Sequence, residues 1–247
     1  MQSIREIYKI GRGPSSSHTM GPERAARIFL DEHPDAERYR VTLYGSLAKT
    51  GRGHHTDLAV LSVLGKDRTE VVFDTEKTDL PHENTLDIEA MSGENVTAHM
   101  RVMSVGGGNI SIEGRPDELY PDVYEHRTYA EIAEYCRDRN MRLTDYVYLH
   151  EAPDIKDHLR RAWGVMTHSI EEGLSAHGIL EGGLGVERKA QYLFNQRHMD
   201  ETQATRENRM VCAYAFAVGE QNAAGGVIVT APTCGSCGVM PSALKFM

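Results

Sequence analysis

Four hydroxyl side chains and an imidazole stand in unbroken succession at Ser15, Ser16, Ser17, His18 and Thr19, bracketed by Gly13-Pro14 and Gly21-Pro22. A helix is expected directly after them. The free N–H groups and positive dipole end at a helix start attract an anion such as a carboxylate. A capping loop would need one hydroxyl to satisfy an orphan donor. The surplus of hydroxyls beside a histidine favours anion binding over capping.

A second group of reactive side chains lies in the run 44–57, YGSLAKTGRGHHTD. It is Gly-rich and follows a predicted strand, yet it fits neither G-x-G-x-x-G nor the Walker pattern, so nucleotide binding is not supported. Asp57, three residues beyond His54, either orients an imidazole or caps the next helix. On the residues alone both readings stay open.

The third group is Cys234-Gly235-Ser236-Cys237 within the run 230–241, TAPTCGSCGVMP. C-x-x-C serves as a zinc half-site, a redox pair or part of an iron–sulfur site. Zinc would need a second ligand pair at suitable spacing, and the sequence has none. A thioredoxin-like pair would open a helix inside a βαβ unit, whereas here helices precede it. Glycine and proline around the thiols imply a tight loop that a bulky group can approach. Cys136 and Cys212 sit in helical patterns with apolar neighbours and read as buried core residues.

The elements that must position these groups fall into two parts. Thr19 to Pro22 followed by ERAARIFL starts a helix, with Pro near its first position. Strands are expected at 39–43, 70–73, 97–105 and 109–113, with Gly106-Gly107-Gly108 turning the chain between the last two. From about residue 127 the pattern becomes helical, with predicted helices at 128–139, 155–174, 187–198 and 206–222. The stretch 140–155 carries no long periodicity and marks a domain boundary. The expected architecture is an α+β N-terminal domain (a small sheet with helices), residues 1–145, followed by an all-α catalytic domain, residues 146–247. Residues 238–247 look like a helix just beginning, without a cap, so the second domain is expected to be incomplete.

Composition narrows the function classes. The 247 residues are 40% hydrophobic and 26% charged, with a net charge of −9. That balance excludes wholesale disorder and argues against a general nucleic-acid binder, which needs a basic face. No run of 18 apolar residues occurs, so no membrane partner is expected. The first ten residues, MQSIREIYKI, lack the apolar core of a secretion signal, and a cytoplasmic protein is expected.

Five segments together resemble the iron–sulfur-dependent L-serine dehydratases (L-serine deaminases): GPSSSHTMGP at 13–22, YGSLAKTGRGHHTDLA at 44–59, LPHENTL at 80–86, VMSVGGGNI at 102–110 and APTCGSCGVMP at 231–241. They come in the family's order and span nearly the whole chain. The resemblance implies elimination of water from L-serine to pyruvate and ammonia, a place in amino-acid degradation and gluconeogenesis, and a homodimer. It also implies a 4Fe–4S cluster held by three cysteines, with one iron open as a Lewis acid. Carried over residue by residue, Cys237 is a cluster ligand and the other two ligands lie beyond Met247. His54 is the implied base and His82 a second active-site imidazole. Ser15, Ser16, Ser17, His18, Thr19 and Asn84 would bind the substrate. Two positions depart from the family pattern. Cys234 stands where Asn is frequent, and His55 where Gly is common, which leaves the base open between His54 and His55. The N-terminal part also resembles the serine-sensing domain of some phosphoglycerate dehydrogenases, so a non-catalytic serine-binding fragment is the alternative. A pyridoxal-phosphate dehydratase is disfavoured, because the residues around Lys49, Gly51 and Gly53 do not match that family.

Overall fold

A computed structural model describes residues 1–117, 120–197 and 199–247. A short strand, β1 (Ile10–Arg12), leads into a π-helical turn at Ser16–Met20 and then α1 (Gly21–Glu32). Next come β2 (Arg38–Tyr44), α2 (Gly45–Thr50), α3 (Thr56–Leu64) and β3 (Thr69–Asp74). Three strands follow without an intervening helix: β4 (Thr85–Ser92), β5 (Asn95–Gly106) and β6 (Asn109–Ile112).

These strands make one five-stranded sheet in the order β3-β2-β4-β5-β6. Only β2 and β3 run parallel. Alternation along the strands sorts the two faces. Tyr39, Val41 and Leu43 pair with Ala90, Ile88 and Leu86, and the last two of these face Met100 and Val102. All eight are buried against Ala25, Ala26, Phe29, Val60 and Leu64 of α1 and α3. The intervening residues form a polar face, where Arg101 holds Asp87 through two contacts of 2.8 Å and Tyr44 donates to the same carboxylate at 2.9 Å. Those bonds, with Arg101 foremost, keep the Asp87 carboxyl below the usual carboxylate range despite its burial.

The second half is mostly helical: α4 (Tyr129–Asp138), α5 (Leu143–His150), α6 (Ile155–Ser175), α7 (Ala190–Asn195), α8 (Gln203–Ala223) and α9 (Val239–Phe246), with β7 (Val227–Val229) between the last two. Thr128 and Glu131 form a reciprocal capping box at the start of α4, and Thr202 caps α8. The stretch 140–155, expected to lack periodicity, contains α5. Its Tyr146 is buried among Tyr124, Ile132 and Cys136, a contact that eight residues of local pattern do not announce. Helix α7 is shorter than the expected 187–198, and His198 lies outside the described residues. Among the described residues no helix is long and apolar enough to cross a membrane.

The two halves are stitched by β1, which pairs antiparallel with β7 from Ile10↔Val229 to Arg12↔Val227. Thr230 extends the seam, accepting from the Lys9 N–H at 3.0 Å and donating to the Ile7 carbonyl at 2.6 Å.

Helices α6 and α8 cross closely at Gly173. A methyl group there would sit 2.3 Å from the Ala217 carbonyl oxygen and 2.7 Å from its Cα. Backbone cannot yield as a side-chain tip can, so the helices would have to separate. Gly173→Ala is expected to cost about 1–3 kcal/mol. Thermal unfolding should show a drop of roughly 2–4 °C for each kcal/mol. An unchanged midpoint would mean that the crossing is not held rigidly.

Candidate active site

The hydroxyl loop folds onto itself before it meets anything else. Ser15 caps the turn, its Oγ accepting from the His18 N–H at 3.2 Å. Thr19 Oγ1 accepts from the Ser15 N–H at 3.3 Å and donates to the His54 carbonyl at 2.7 Å. Ser16 and Thr19 are buried, and Ser17 and His18 are half-buried at the loop surface. The His18 ring spans two hydroxyls, with Nδ1 2.9 Å from Ser17 Oγ and Nε2 2.9 Å from Ser46 Oγ.

His54 lies against this loop, its ring centroid 4.6 Å from that of His18. Its Nδ1 is 3.0 Å from the Thr50 carbonyl oxygen. A carbonyl only accepts, so that nitrogen carries the proton, and in the neutral ring Nε2 is left with a bare lone pair. Burial lowers the pKa of His18, and the neighbouring His54 lowers it further. The two rings therefore resist carrying positive charge together.

His82 has the opposite polarity. The Asn84 N–H donates to His82 Nδ1 at 3.0 Å, so Nδ1 is bare and the neutral ring carries its hydrogen on Nε2. The segment is pinned by Thr85, whose hydroxyl donates to the His82 carbonyl at 2.6 Å. Asn84 is buried, and its Nδ2 reaches the Ser104 carbonyl at 3.4 Å. Asn84 Oδ1 and Ser104 Oγ are buried without a protein partner among the described residues. Such atoms are costly unless something polar meets them. The His82–Asn84 segment joins the histidine pair through one backbone contact, the Ser46 N–H donating to the Glu83 carbonyl at 2.8 Å.

His55 is set apart from this arrangement. It caps α3 in the left-handed region, at φ 55° and ψ 31°, a backbone that favours glycine. Its Nδ1 lies 3.0 Å from where a Cβ on Gly225 would be.

The cysteine loop approaches from the helical half. Cys234 and Cys237 are each 1% exposed, packed with Ile170, Val218 and Ile228. Cys234 Sγ lies 3.6 Å from Sδ of Met20, the last residue of the hydroxyl turn, so the two loops touch through sulfur. Burial pushes the Cys234 thiol up to about 11, and burial together with Cys234 pushes Cys237 up to about 12. Both stay protonated unless a cation sits on them. For a 4Fe–4S cluster the donor chemistry is right and the donor number is short. Two soft thiols share a Gly-flanked loop, but no group of three or more His, Cys, Asp or Glu is placed to hold a metal ion among the described residues. Cys136 is buried as expected. Cys212, expected to be buried, is only partly so, because its side chain lies on the outer flank of α8 facing Asn208 Oδ1 at 3.9 Å.

Ser46 and Met20 belong to quoted motifs, yet the residue pattern assigned them no role. Ser46 follows a glycine at the end of a strand, a signal that was available. Met20 offered none, since nothing local ties it to a cysteine more than two hundred positions away.

Comparison with known proteins gives two family matches: the serine dehydratase beta chain over residues 3–68 and the serine dehydratase alpha chain over residues 55–247. L-serine dehydratase 2 of Escherichia coli (strain K12) is 32% identical, aligning with 100% of this chain and 66% of its own length. L-serine dehydratase of Haemophilus influenzae is also 32% identical, with the same coverage. That of Streptomyces coelicolor is 31% identical over 99% of this chain and 65% of its own. The chain thus spans just under two thirds of the length of these curated relatives.

Proposed function

This chain belongs to the serine dehydratase family, and from that premise we propose that it carries the substrate-binding and proton-transfer groups of an L-serine ammonia-lyase, which turns L-serine into pyruvate and ammonia. The observation that carries the reading is the histidine pair on the hydroxyl loop, with rings 4.6 Å apart and His54 Nδ1 committed to a carbonyl.

The chemistry is a β-elimination. Ser15, Ser16, Ser17, His18 and Thr19, with Asn84, hold and orient the amino acid, its carboxylate against the loop hydroxyls. His54 takes the α-proton at Nε2, the nitrogen its hydrogen bond leaves bare. The lowered pKa of His18 keeps the neighbouring ring neutral as the His54 imidazolium forms. His82 presents an N–H at Nε2 and steadies the leaving oxygen. Cys237 would be a ligand of a 4Fe–4S cluster, which would supply Lewis acidity toward a hydroxyl oxygen. The Cβ–O bond breaks, the departing hydroxide takes the proton held on the His54 imidazolium and leaves as water, and aminoacrylate remains. It tautomerises to an imine, and one water hydrolyses the imine to pyruvate and ammonia.

Residues 1–145 are read as the α+β unit and 146–247 as part of the helical catalytic unit of a cytoplasmic homodimer. Pyruvate release from L-serine by anaerobically prepared protein, before and after loading with iron and sulfide, tests the activity. Residues 1–247 by themselves are expected to bind serine without turnover, since they offer two thiols on one loop. Protein carrying the complete ligand set is expected to release pyruvate only when loaded. Serine binding without pyruvate release by the loaded protein would overturn the reading in favour of a non-catalytic binding module.

A further inference from the structure

We infer, on the reading above that the hydroxyl loop holds serine, that Asn222 at the end of α8 is a positioning residue through which the helical half sets the affinity of that loop.

Asn222 is buried, and its Nδ2 donates to the Pro14 carbonyl at 3.2 Å. A carbonyl oxygen only accepts, so the amide stands with its nitrogen toward Pro14. The peptide unit gripped in this way is the one that opens the hydroxyl loop. It is planar, so fixing its carbonyl also fixes the Ser15 N–H on its other side. That N–H donates to Thr19 Oγ1 at 3.3 Å, and the Thr19 hydroxyl donates to the His54 carbonyl at 2.7 Å. Each link has one possible direction, because it begins on an N–H or ends on a carbonyl. A directed series of bonds thus runs from the helical half, through the loop, to the backbone of the proposed base.

The rest of the α8 end serves the same grip. Gly225 takes φ 75°, its N–H donating to the Asn222 carbonyl at 3.1 Å, and the Gly226 N–H donates to the Gln221 carbonyl at 2.8 Å. This is the pattern by which glycine closes a helix. Gly226, so placed, accepts from the Gly13 N–H at 3.0 Å. Gly13 lies directly on the asparagine, where a Cβ would collide with both Oδ1 and the backbone oxygen of Asn222. Asn222 Oδ1 is buried without a protein partner among the described residues. A side chain placed only to fill space would avoid that cost, so what the amide supplies is its N–H.

L-serine binding to cluster-free protein of residues 1–247, followed by calorimetry at several pH values, tests the role. Asn222→Asp keeps the shape but replaces the donor by an acceptor. At about pH 8 its dissociation constant should exceed that of wild type by about tenfold, with one hydrogen bond lost and two oxygens opposed. On acidification the introduced carboxyl gains a proton that the Pro14 carbonyl accepts, and the ratio to wild type should return toward one by about pH 5. Taking the ratio at each pH removes whatever the histidines contribute to both proteins. Asn222→Ala has no donor at any pH and should stay weak throughout. A ratio near one at the higher pH, or one that acid does not restore, overturns the inference. Should the variants fail to fold, wild type decides by hydrogen exchange. Saturating L-serine is expected to slow exchange of the Gly13 N–H, which ties the loop to the end of α8, and an unchanged rate overturns the inference. Wild-type protein that binds no serine, cluster-free or loaded, would sink the reading of the loop itself and this role with it.

Discussion

Replacing His54 by alanine in the cluster-loaded protein is expected to lower kcat by about a hundred- to ten-thousand-fold, the usual contribution of a general base. The loss should fall on kcat, because the loop that holds the substrate is built mainly from its own bonds. Ser15, Thr19 and the His18 backbone are linked to one another, and the loop's hydrogen bond to His54 uses the backbone carbonyl, which alanine retains. Iron content should be unaffected, since His54 lies on the hydroxyl-loop side, whereas Cys237 is packed among helical residues. His55→Ala provides the contrast. Its ring lies toward Gly225 and makes no capping hydrogen bond to α3, so His55→Ala should leave kcat little changed. Steady-state pyruvate release settles the pair: a large kcat loss in His55→Ala with a mild one in His54→Ala would move the base by one residue.

Cys237→Ser is expected to abolish cluster assembly. A hydroxyl does not replace a thiolate on iron, and the pocket makes matters worse for an oxygen anion. With burial raising Cys237 to about 12, the site stabilises negative charge only through a bound cation. Cys136→Ser and Cys212→Ser should leave iron and sulfide content unchanged. Cys136 packs with Tyr124, Ile132 and Tyr146, and Cys212 sits on the flank of α8. Iron and sulfide analysis after anaerobic loading is the measurement. Full content in Cys237→Ser protein would remove that residue from the ligand set. Loss in Cys136→Ser would put a thiol from the aromatic cluster into it.

What was legible in the sequence followed from local repetition. Strands at 39–43, 70–73, 97–105 and 109–113 alternate strongly enough to be seen, and β2, β3, β5 and β6 lie there. Strand β4 escaped because its first residues fall in the motif around His82 and Asn84, although Leu86, Ile88 and Ala90 alternate with Asp87 and Glu89 as in a half-buried strand. The long helices α6 and α8 were visible from their period, but the crossing at Gly173 was not, since a glycine in a helical pattern gives no hint of what passes over it. Within the site, residue types were legible and polarity was not. Sequence presents His18, His54 and His82 as equivalent imidazoles. Only their acceptors and donors separate a ring with a bare Nε2 from one that carries hydrogen there. The glycine that the family resemblance implies at position 55 would suit the left-handed backbone, which histidine adopts here at some cost in strain.

The seam between β1 and β7 also governs when the site can exist. Lys9 and Thr230 bond across 221 positions of chain, so the first strand has no edge to join until the ribosome has delivered nearly everything described here. The entropy of closing so long a loop grows only slowly with its length, but the search for the partner is slow. Until then the hydroxyl turn lacks the sulfur contact at Met20. The five-stranded sheet can form early on the nascent chain, and the reactive loops meet as one of the last events of its maturation.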